Sequence, residues 1–122
     1  MLEGVLIAES LRVGAQLTGI PLQVTKLTRV EMTDPGQGQP RFWTLLDFAA
    51  DELEAERLAD QLASSLSSTG GWYTDFHTSR DTFVIFADKV FRYPRGQAEG
   101  RREALEYGRS VGVPEQQLDW RA

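Results

Sequence analysis

The chain has 122 residues, with 13 Lys plus Arg, 18 Asp plus Glu, one His and no Cys, and 41% of its residues are hydrophobic. A chain of this length buries about two-thirds of the surface that its unfolded form exposes, so its core needs no disulfide or structural zinc. The absence of Cys excludes thiolate metal sites and a cysteine nucleophile. A net charge of −5 disfavours electrostatic binding to nucleic acid or to an anionic membrane. We therefore expect one soluble globular domain over residues 1–122.

Nothing near the amino terminus resembles a secretory signal, which has a basic region followed by an apolar stretch of about 7 to 15 residues. The apolar run in this region spans only residues 5–8. No segment of the sequence approaches the ~20 consecutive apolar residues of a membrane span. These patterns predict a cytoplasmic protein with no membrane partner.

Three strands are predicted in the first part of the chain, over residues 4–12, 22–32 and 41–48, because apolar and β-branched residues recur there at the period of two. In the third strand, Phe42, Leu46 and Phe48 alternate with Trp43 and Leu45. Both of its faces are therefore largely apolar, which favours a central position in a sheet. Residues 33–40 contain two Pro and two Gly, which predicts a flexible loop.

A helix is predicted to begin at Asp51, because a carboxylate there accepts the free backbone amides of the first turn, and Glu54 follows three residues later. Leu58, Leu62 and Leu66 then lie on one face at a spacing of four residues. A Gly-Gly pair ends the helix, since Gly readily adopts the left-handed conformation of a C-cap.

Three short strands are predicted next, over residues 72–78, 82–87 and 90–93, with turns of hairpin length around residues 80–81 and 88–89. A second helix is predicted over residues 97–111, and Pro114 favours a last helical turn. Trp120 is too large an apolar side chain to stay in solvent, so we expect it to pack on the domain.

This order of elements predicts an α+β fold with an antiparallel-rich, twisted sheet of five to six strands. From residue 41 onward the order is strand, helix, strand, strand, strand, helix. That order is ferredoxin-like, with an amino-terminal β-hairpin extension in front of it. We expect the two main helices to lie together on one face of the sheet.

The last three strands divide their side chains between two apolar faces. Two-residue turns would place Ser79 opposite Thr82 and Ala87 opposite Val90, and the period of two then assigns every side chain to a face. One face carries Trp72, Thr74, Phe76, Phe83, Ile85 and Val90. The other face carries Tyr73, Asp75, His77, Val84, Phe86, Phe91 and Tyr93. Two helices on one face leave the other to be covered by the amino-terminal strands, a ligand or a second copy, and a homodimer is expected because a twofold axis lets one patch cover itself.

The polar residues of the second face form the best candidate site. Tyr73, Asp75 and His77 alternate along one strand, so Asp75 is placed to orient His77 and to favour its imidazolium form. They are the candidate catalytic residues. The predicted ligand-binding surface consists of Tyr73, Asp75, His77, Phe86, Phe91 and Tyr93. The competing interpretation is structural, since a lone His is more often packed or solvated than functional.

A second cluster surrounds the start of the predicted second helix. Arg92, Arg95, Arg101 and Arg102 are a weak candidate site for a phosphate or carboxylate, because Arg side chains and helix amides both bind anions. Glu residues three or four positions away on the same helix would neutralise most of this charge. A charged, solvated helix face is therefore the preferred interpretation.

Other chemistry is not indicated. One His with scattered acidic residues matches no zinc or calcium pattern, so we predict no metal and no cofactor. The aromatic residues that could stack on bases have balanced or acidic neighbours, which argues against nucleic acid. The predicted partners are a second copy of the chain and a small molecule.

Four stretches of the sequence carry a resemblance: Gly71–Phe76, Phe83–Phe86, Val90–Gly96 and Gly112–Trp120. In these stretches, and over most of its length, the chain resembles small uncharacterised single-domain proteins of high-GC, actinobacterial-type bacteria. The resemblance implies a stand-alone cytoplasmic domain. It carries over no activity and no catalytic residue.

These patterns together predict a non-enzymatic binding or interaction module, homodimeric through the sheet face that bears Tyr73, Phe86, Phe91 and Tyr93. The alternative is a small enzyme of the hydrolase or isomerase type. In that case His77 is the general acid or base, Asp75 orients it, and Tyr73 or Tyr93 donates a hydrogen bond to developing negative charge.

Overall fold

The computed structural model describes residues 1–120 and contains an antiparallel sheet of six strands with two α-helices. In chain order the elements are β1 (Leu2–Ile7), β2 (Gln23–Glu31), β3 (Phe42–Ala50), α1 (Ala55–Ser65), β4 (Thr74–His77), β5 (Asp81–Phe86), β6 (Lys89–Pro94) and α2 (Ala98–Ser110). The predicted α+β class and antiparallel sheet are confirmed. Within the described range no helix is both long enough and apolar enough to cross a membrane.

Strand β1 lies in the interior of the sheet, whose order is β2-β3-β1-β4-β5-β6. It pairs with β3 on one side and with β4 on the other, and not with β2. The predicted amino-terminal hairpin extension and ferredoxin-like order therefore do not form. The reason is that Leu2 and Leu6 of β1 point into one apolar cluster while Val5 and Ile7 point to the other face. A strand with two apolar faces is better buried inside a sheet than at its edge.

The two helices lie on opposite faces of the sheet, which corrects the prediction that they share one face. Leu62 of α1 packs in a cluster with Phe83 and Ile85 of β5, whereas Ala104 of α2 packs in a second cluster with Val84. Alternate residues of a strand point to opposite faces, so each helix covers a different side of β5. Because β5 is apolar on both sides, each side needs its own cover. We call these two sides the α1 face and the α2 face.

The start of α1 follows the predicted capping pattern in part. The Asp51 carboxylate accepts a hydrogen bond from the Leu53 amide at 2.9 Å, and a single 3-10 turn, Glu52–Glu54, then leads into the α-helix. Leu58 and Leu62 are fully buried, which confirms the apolar stripe. The helix therefore begins about one turn later than predicted.

The two hairpin turns begin one residue earlier than predicted. His77, and not Ser79, lies opposite Thr82, and the pairing of the second hairpin moves by the same two residues. An even shift leaves every side chain on its predicted face. Asp88, with φ of 58°, lies in the second turn, where two-residue hairpin loops require the left-handed conformation.

Residues 113–120, which we call the 113–120 segment, pack on the α2 face. Trp120 is buried, and its indole Nε1 donates to the Tyr93 hydroxyl at 3.0 Å. The Tyr73 hydroxyl donates to the backbone carbonyl of Gln117 and lies 3.0 Å from the Asp119 carboxylate. The expectation that Trp120 packs on the domain is confirmed. These contacts fix the segment across the sheet.

Residues 33–40 form neither helix nor strand. Gln39 in this loop is buried, and its side-chain amide lies 2.7 Å from the Gly70 carbonyl and 3.1 Å from the side-chain oxygen of Gln117. Its side-chain oxygen accepts the Gly36 amide at 2.7 Å. The loop is thereby attached to the 113–120 segment.

Candidate functional site

The α2 face is covered over one half and concave over the other. Helix α2 and the 113–120 segment cover strands β5 and β6. There they bury Phe86 and Tyr93, which are 2% and 4% exposed. Over β1 and β3 a groove runs beside the 113–120 segment. It has an acidic part of about 550 Å³ and an apolar part of about 340 Å³, and Val5, Asp75 and Asp119 line both. The groove is the candidate site.

Negative charge dominates the wall of the acidic part. Its ionisable side chains are Glu3, Asp47, Asp75, His77, Arg95 and Asp119. They come from β1, β3, β4, the residue after β6, and the 113–120 segment. Among residues 1–120, four carboxylates thus face one guanidinium and one imidazole.

Asp75 lies where the two parts of the groove meet. Strand pairing sets it between Val5 of β1 and Val84 of β5. Burial, with the negative charge of Asp119 as the smaller cause, raises the pKa of Asp75 from its usual 3.8 to about 6. Among residues 1–120 no donor hydrogen-bonds to its carboxylate and no cation pairs with it. The groove therefore contains a half-buried carboxylate whose hydrogen-bonding capacity is unused by residues 1–120.

The hydroxyl of Tyr73 is occupied by the 113–120 segment. Burial, together with the charges of Asp119 and Asp75, raises the pKa of Tyr73 above its usual value. The hydroxyl keeps its proton and donates it to the Gln117 carbonyl. Tyr73 thus acts in the structure as a support for one wall of the groove.

His77 lies at the rim of the groove with 43% of its side chain exposed, and its Nε2 is 3.8 Å from the Glu3 carboxylate. No hydrogen bond joins it to Asp75 in the part of the chain that the structure describes. The predicted orientation of His77 by Asp75 is therefore absent. Residues i and i+2 of a strand are about 6.6 Å apart along its axis. A hydrogen bond between the Asp75 carboxylate and the His77 ring would therefore require both side chains to adopt rotamers that turn toward each other.

Three of the four aromatic members of the predicted ligand-binding surface, Phe86, Phe91 and Tyr93, lie outside the groove, whereas Tyr73 lines its apolar part. Phe86 and Tyr93 are in the core beneath α2, and Phe91 packs against Tyr107 of α2 with ring centroids 5.4 Å apart. The cover of this half of the sheet is therefore supplied by the chain itself. The reason is the division of the two helices between the faces, which the order of elements alone does not determine.

The four Arg residues of the predicted anion site do not converge. Arg92 points to the α1 face, where it pairs with carboxylates of β5 and α1 at 2.8 and 2.9 Å. Arg102 pairs with a Glu of its own helix, and Arg101 donates to the backbone carbonyl of Trp120. Arg95 alone among the four lines the groove. This arrangement offers no shared anion site.

The apolar part of the groove is built on neighbouring strands. Ile7 of β1 and Leu45 of β3 are directly opposite one another, and Trp43 and Trp72 close the end of the wall with ring centroids 5.2 Å apart. The Trp43 indole N–H donates to the Pro40 carbonyl at 2.9 Å. This wall thus offers apolar surface, because the one polar atom of the Trp43 ring is already bonded.

The sequence did not identify several residues of the groove as site residues, above all Val5, Leu45, Asp47 and Asp119. Alternation in β3 places Trp43, Leu45 and Asp47 on one face, so a local signal for part of the wall exists. No local pattern joins that face to Asp75, because β1 has to enter between β3 and β4 first. Asp119 reaches the site through the packing of the 113–120 segment.

Two further observations bear on the identity of the site. In the described residues no group of three or more His, Asp or Glu side chains is arranged to hold a metal ion. Comparisons with models of protein families, with curated proteins and with solved structures give no match. Function is therefore inferred from the geometry and charge of the groove.

Proposed function

We propose that this chain is a non-enzymatic binding module whose small-molecule ligand occupies the groove of the α2 face. The supporting observation is the Asp75 carboxylate at the junction of the two parts, which has no hydrogen-bond donor and no cation among residues 1–120. A half-buried carboxylate without a donor is unfavourable in the free protein, and a ligand that supplies the donor removes that cost. Both parts also have volumes in the range of small-molecule pockets, about 300 to 1,000 Å³.

A fragment screen read out by backbone amide chemical shifts tests this proposal. Bound fragments should shift the amides of β1, β3 and the 113–120 segment. Val5→Phe places a ring on the floor shared by both parts and should abolish these shifts. Val13→Phe, at a fully exposed position, is the matched control and should leave them unchanged. The proposal is wrong if no fragment shifts these amides, or if Val5→Phe leaves binding intact.

An enzyme of the hydrolase or isomerase type is the second candidate, favoured by one observation. The pKa of Asp75, about 6, is suited to proton transfer near neutral pH, and His77 lines the same part of the groove. Turnover of an ester or isomerisable carbonyl substrate should then be lost in both His77→Gln and Asp75→Asn. Asp60→Asn, on the exposed surface of α1, is the control and should leave turnover unchanged. Turnover that survives His77→Gln would remove His77 from any mechanism.

Self-association is also part of the proposal, through a surface other than the aromatic face. Strand β2 forms one edge of the sheet, and Val24 and Leu27 on it are 54% and 62% exposed. Antiparallel pairing of two copies of β2 about a twofold axis would satisfy their outward backbone groups. In one such register Lys26 lies opposite the second copy's Glu31, so the pairing is favourable in charge.

A further inference from the structure

We propose that the groove is selective for a small organic cation, with an ammonium or amidinium group on Asp75 and a flat apolar body against Ile7 and Leu45. This inference names the ligand class of the proposed function and rests on it. Three independent properties of the groove support it: its net charge, its unused acceptor and the position of its apolar platform.

Charge comes first. The acidic part presents Glu3, Asp47, Asp75 and Asp119 against Arg95 and His77. Within residues 1–120, an anionic ligand would be repelled by four carboxylates and attracted by one guanidinium, whereas a cation meets the opposite balance. The side chains of Glu3 and His77 are 68% and 43% exposed, so this balance acts over a short distance and should weaken as salt is added. The wall therefore discriminates by sign of charge.

The unused acceptor fixes where the cation lies. Tyr73 donates to the 113–120 segment and is unavailable to Asp75, and no other donor in residues 1–120 reaches the Asp75 carboxylate. Ammonium and amidinium groups carry two or three N–H donors and form the stronger, charge-assisted hydrogen bonds with carboxylates. An amidinium can engage both Asp75 oxygens at once. A neutral amide supplies donors without the charge and binds more weakly.

The apolar platform sets the length of the ligand. Asp75 is opposite Val5, and Ile7 lies two residues further along β1, directly opposite Leu45. The platform therefore begins about 7 Å along the strand from the carboxylate. A ring joined to its cationic group directly, or through one or two carbons, spans this distance. The occupant is thus a compact aromatic or cyclic amine or amidine, and a long polyamine would leave the platform empty.

Binding should also depend on pH. Asp75 titrates with a pKa of about 6, so the fraction of charged acceptor falls about tenfold between pH 8 and pH 5. The ionisable groups that face Asp75 are Glu3, Asp47, Tyr73, His77, Tyr93, Arg95 and Asp119. His77 lines the same part of the groove, so His77→Gln tests whether Asp75 alone is the source of the pH dependence. The pH dependence should persist in that variant.

Three probes of the same shape test the inference: benzamidine, benzamide and benzoate. Titrations followed by amide chemical shifts should give benzamidine at least a tenfold advantage over benzamide, with shifts at Val5, Ile7 and Asp75, and no binding of benzoate. Asp75→Asn should weaken benzamidine at least tenfold. Asp60→Asn removes the same charge from the exposed surface of α1 and should have no effect.

Equal affinity for benzamide and benzamidine, or unchanged binding of benzamidine to Asp75→Asn, overturns the cation inference. If other fragments still shift the groove amides in that case, the proposed function stands and only the ligand class is wrong. If no fragment shifts them, both fail. A chain that binds benzamidine with shifts confined to other surfaces overturns the inference as well.

Discussion

Asp75 should lower the stability of the fold at neutral pH. Its pKa of about 6 in the folded chain exceeds the usual 3.8, so the folded state favours the protonated form. The stabilisation from this proton is complete below pH 4 and is lost as the pH rises through 6. Asp75→Asn cannot ionise, so relative to the native chain it should gain roughly 3 kcal/mol of unfolding free energy at pH 7.5 and only about 0.5 kcal/mol at pH 4.

Urea unfolding of the two chains at both pH values measures this difference. The matched variant Asp60→Asn should show no gain at either pH, because Asp60 is exposed on α1. A stability difference between Asp75→Asn and the native chain that stays constant from pH 4 to 7.5 would contradict the assignment. The same substitution is expected to weaken cation binding. The Asp75 carboxylate therefore favours binding and lowers the free energy of unfolding.

At the scale of residues, the sequence predicts which side chains share a face but not what they contact. The period of two places Tyr73, Asp75 and His77 together, and the two-residue error in the hairpin register does not alter this. The contacts of Asp75 depend on Val5 and Asp119, which come from distant parts of the chain. Such pairings depend on the three-dimensional order of strands, which local periodicity does not encode.

The 113–120 segment forms a wall of the groove, and Trp120 anchors it. The Trp120 ring lies 5.0 Å from that of Tyr73 and 6.4 Å from that of Phe86, and its N–H bonds to Tyr93. Trp120→Ala should cost about 3 to 5 kcal/mol, because it leaves a large cavity and removes a buried hydrogen bond. Trp120→Phe, which keeps most of the ring contacts, should cost less.

Thermal unfolding of both variants, together with amide exchange in residues 113–120, measures the effect on this element. We expect faster exchange in the segment for Trp120→Ala than for Trp120→Phe, with the strands less affected than the segment. Equal stability of Trp120→Ala and the native chain would show that the segment does not depend on its anchor.

At the scale of elements, the sequence predicts most strands and both helices near their observed positions but not their arrangement. Phe83 and Ile85 alternate with Val84 and Phe86, so β5 is apolar on both faces and either helix fits either face. Strand β1 is likewise apolar on both faces, which argues for an interior position. The pattern does not say which neighbours it takes. A strand that is apolar on both faces fits several sheet orders equally well, and the local sequence pattern does not distinguish among them.

At the scale of the whole molecule, the prediction concerns the oligomeric state. Light scattering across a dilution series should show a dimer at micromolar concentration, since the edge strand β2 exposes both its backbone groups and Leu27. Leu27→Lys places two like charges near the twofold axis and should shift the equilibrium to monomer. Val13→Lys, at an exposed position away from the sheet, is the control. A monomer at every concentration contradicts pairing through β2 and leaves the groove proposal untouched.

Burial of β5 on both faces has a consequence for the chain before it folds. The stretch Thr82–Phe86 contains no charge, no Pro and no Gly, and unfolded chains use windows of this kind to pair into cross-β aggregates. Asp81 precedes the stretch and Asp88 and Lys89 follow it, so charges flank it at both ends. Variants that slow folding should therefore be lost as insoluble protein before they accumulate as soluble unfolded chains. Strand β5, which both helices cover in the folded chain, is therefore the segment that we expect a chaperone to bind in the unfolded chain.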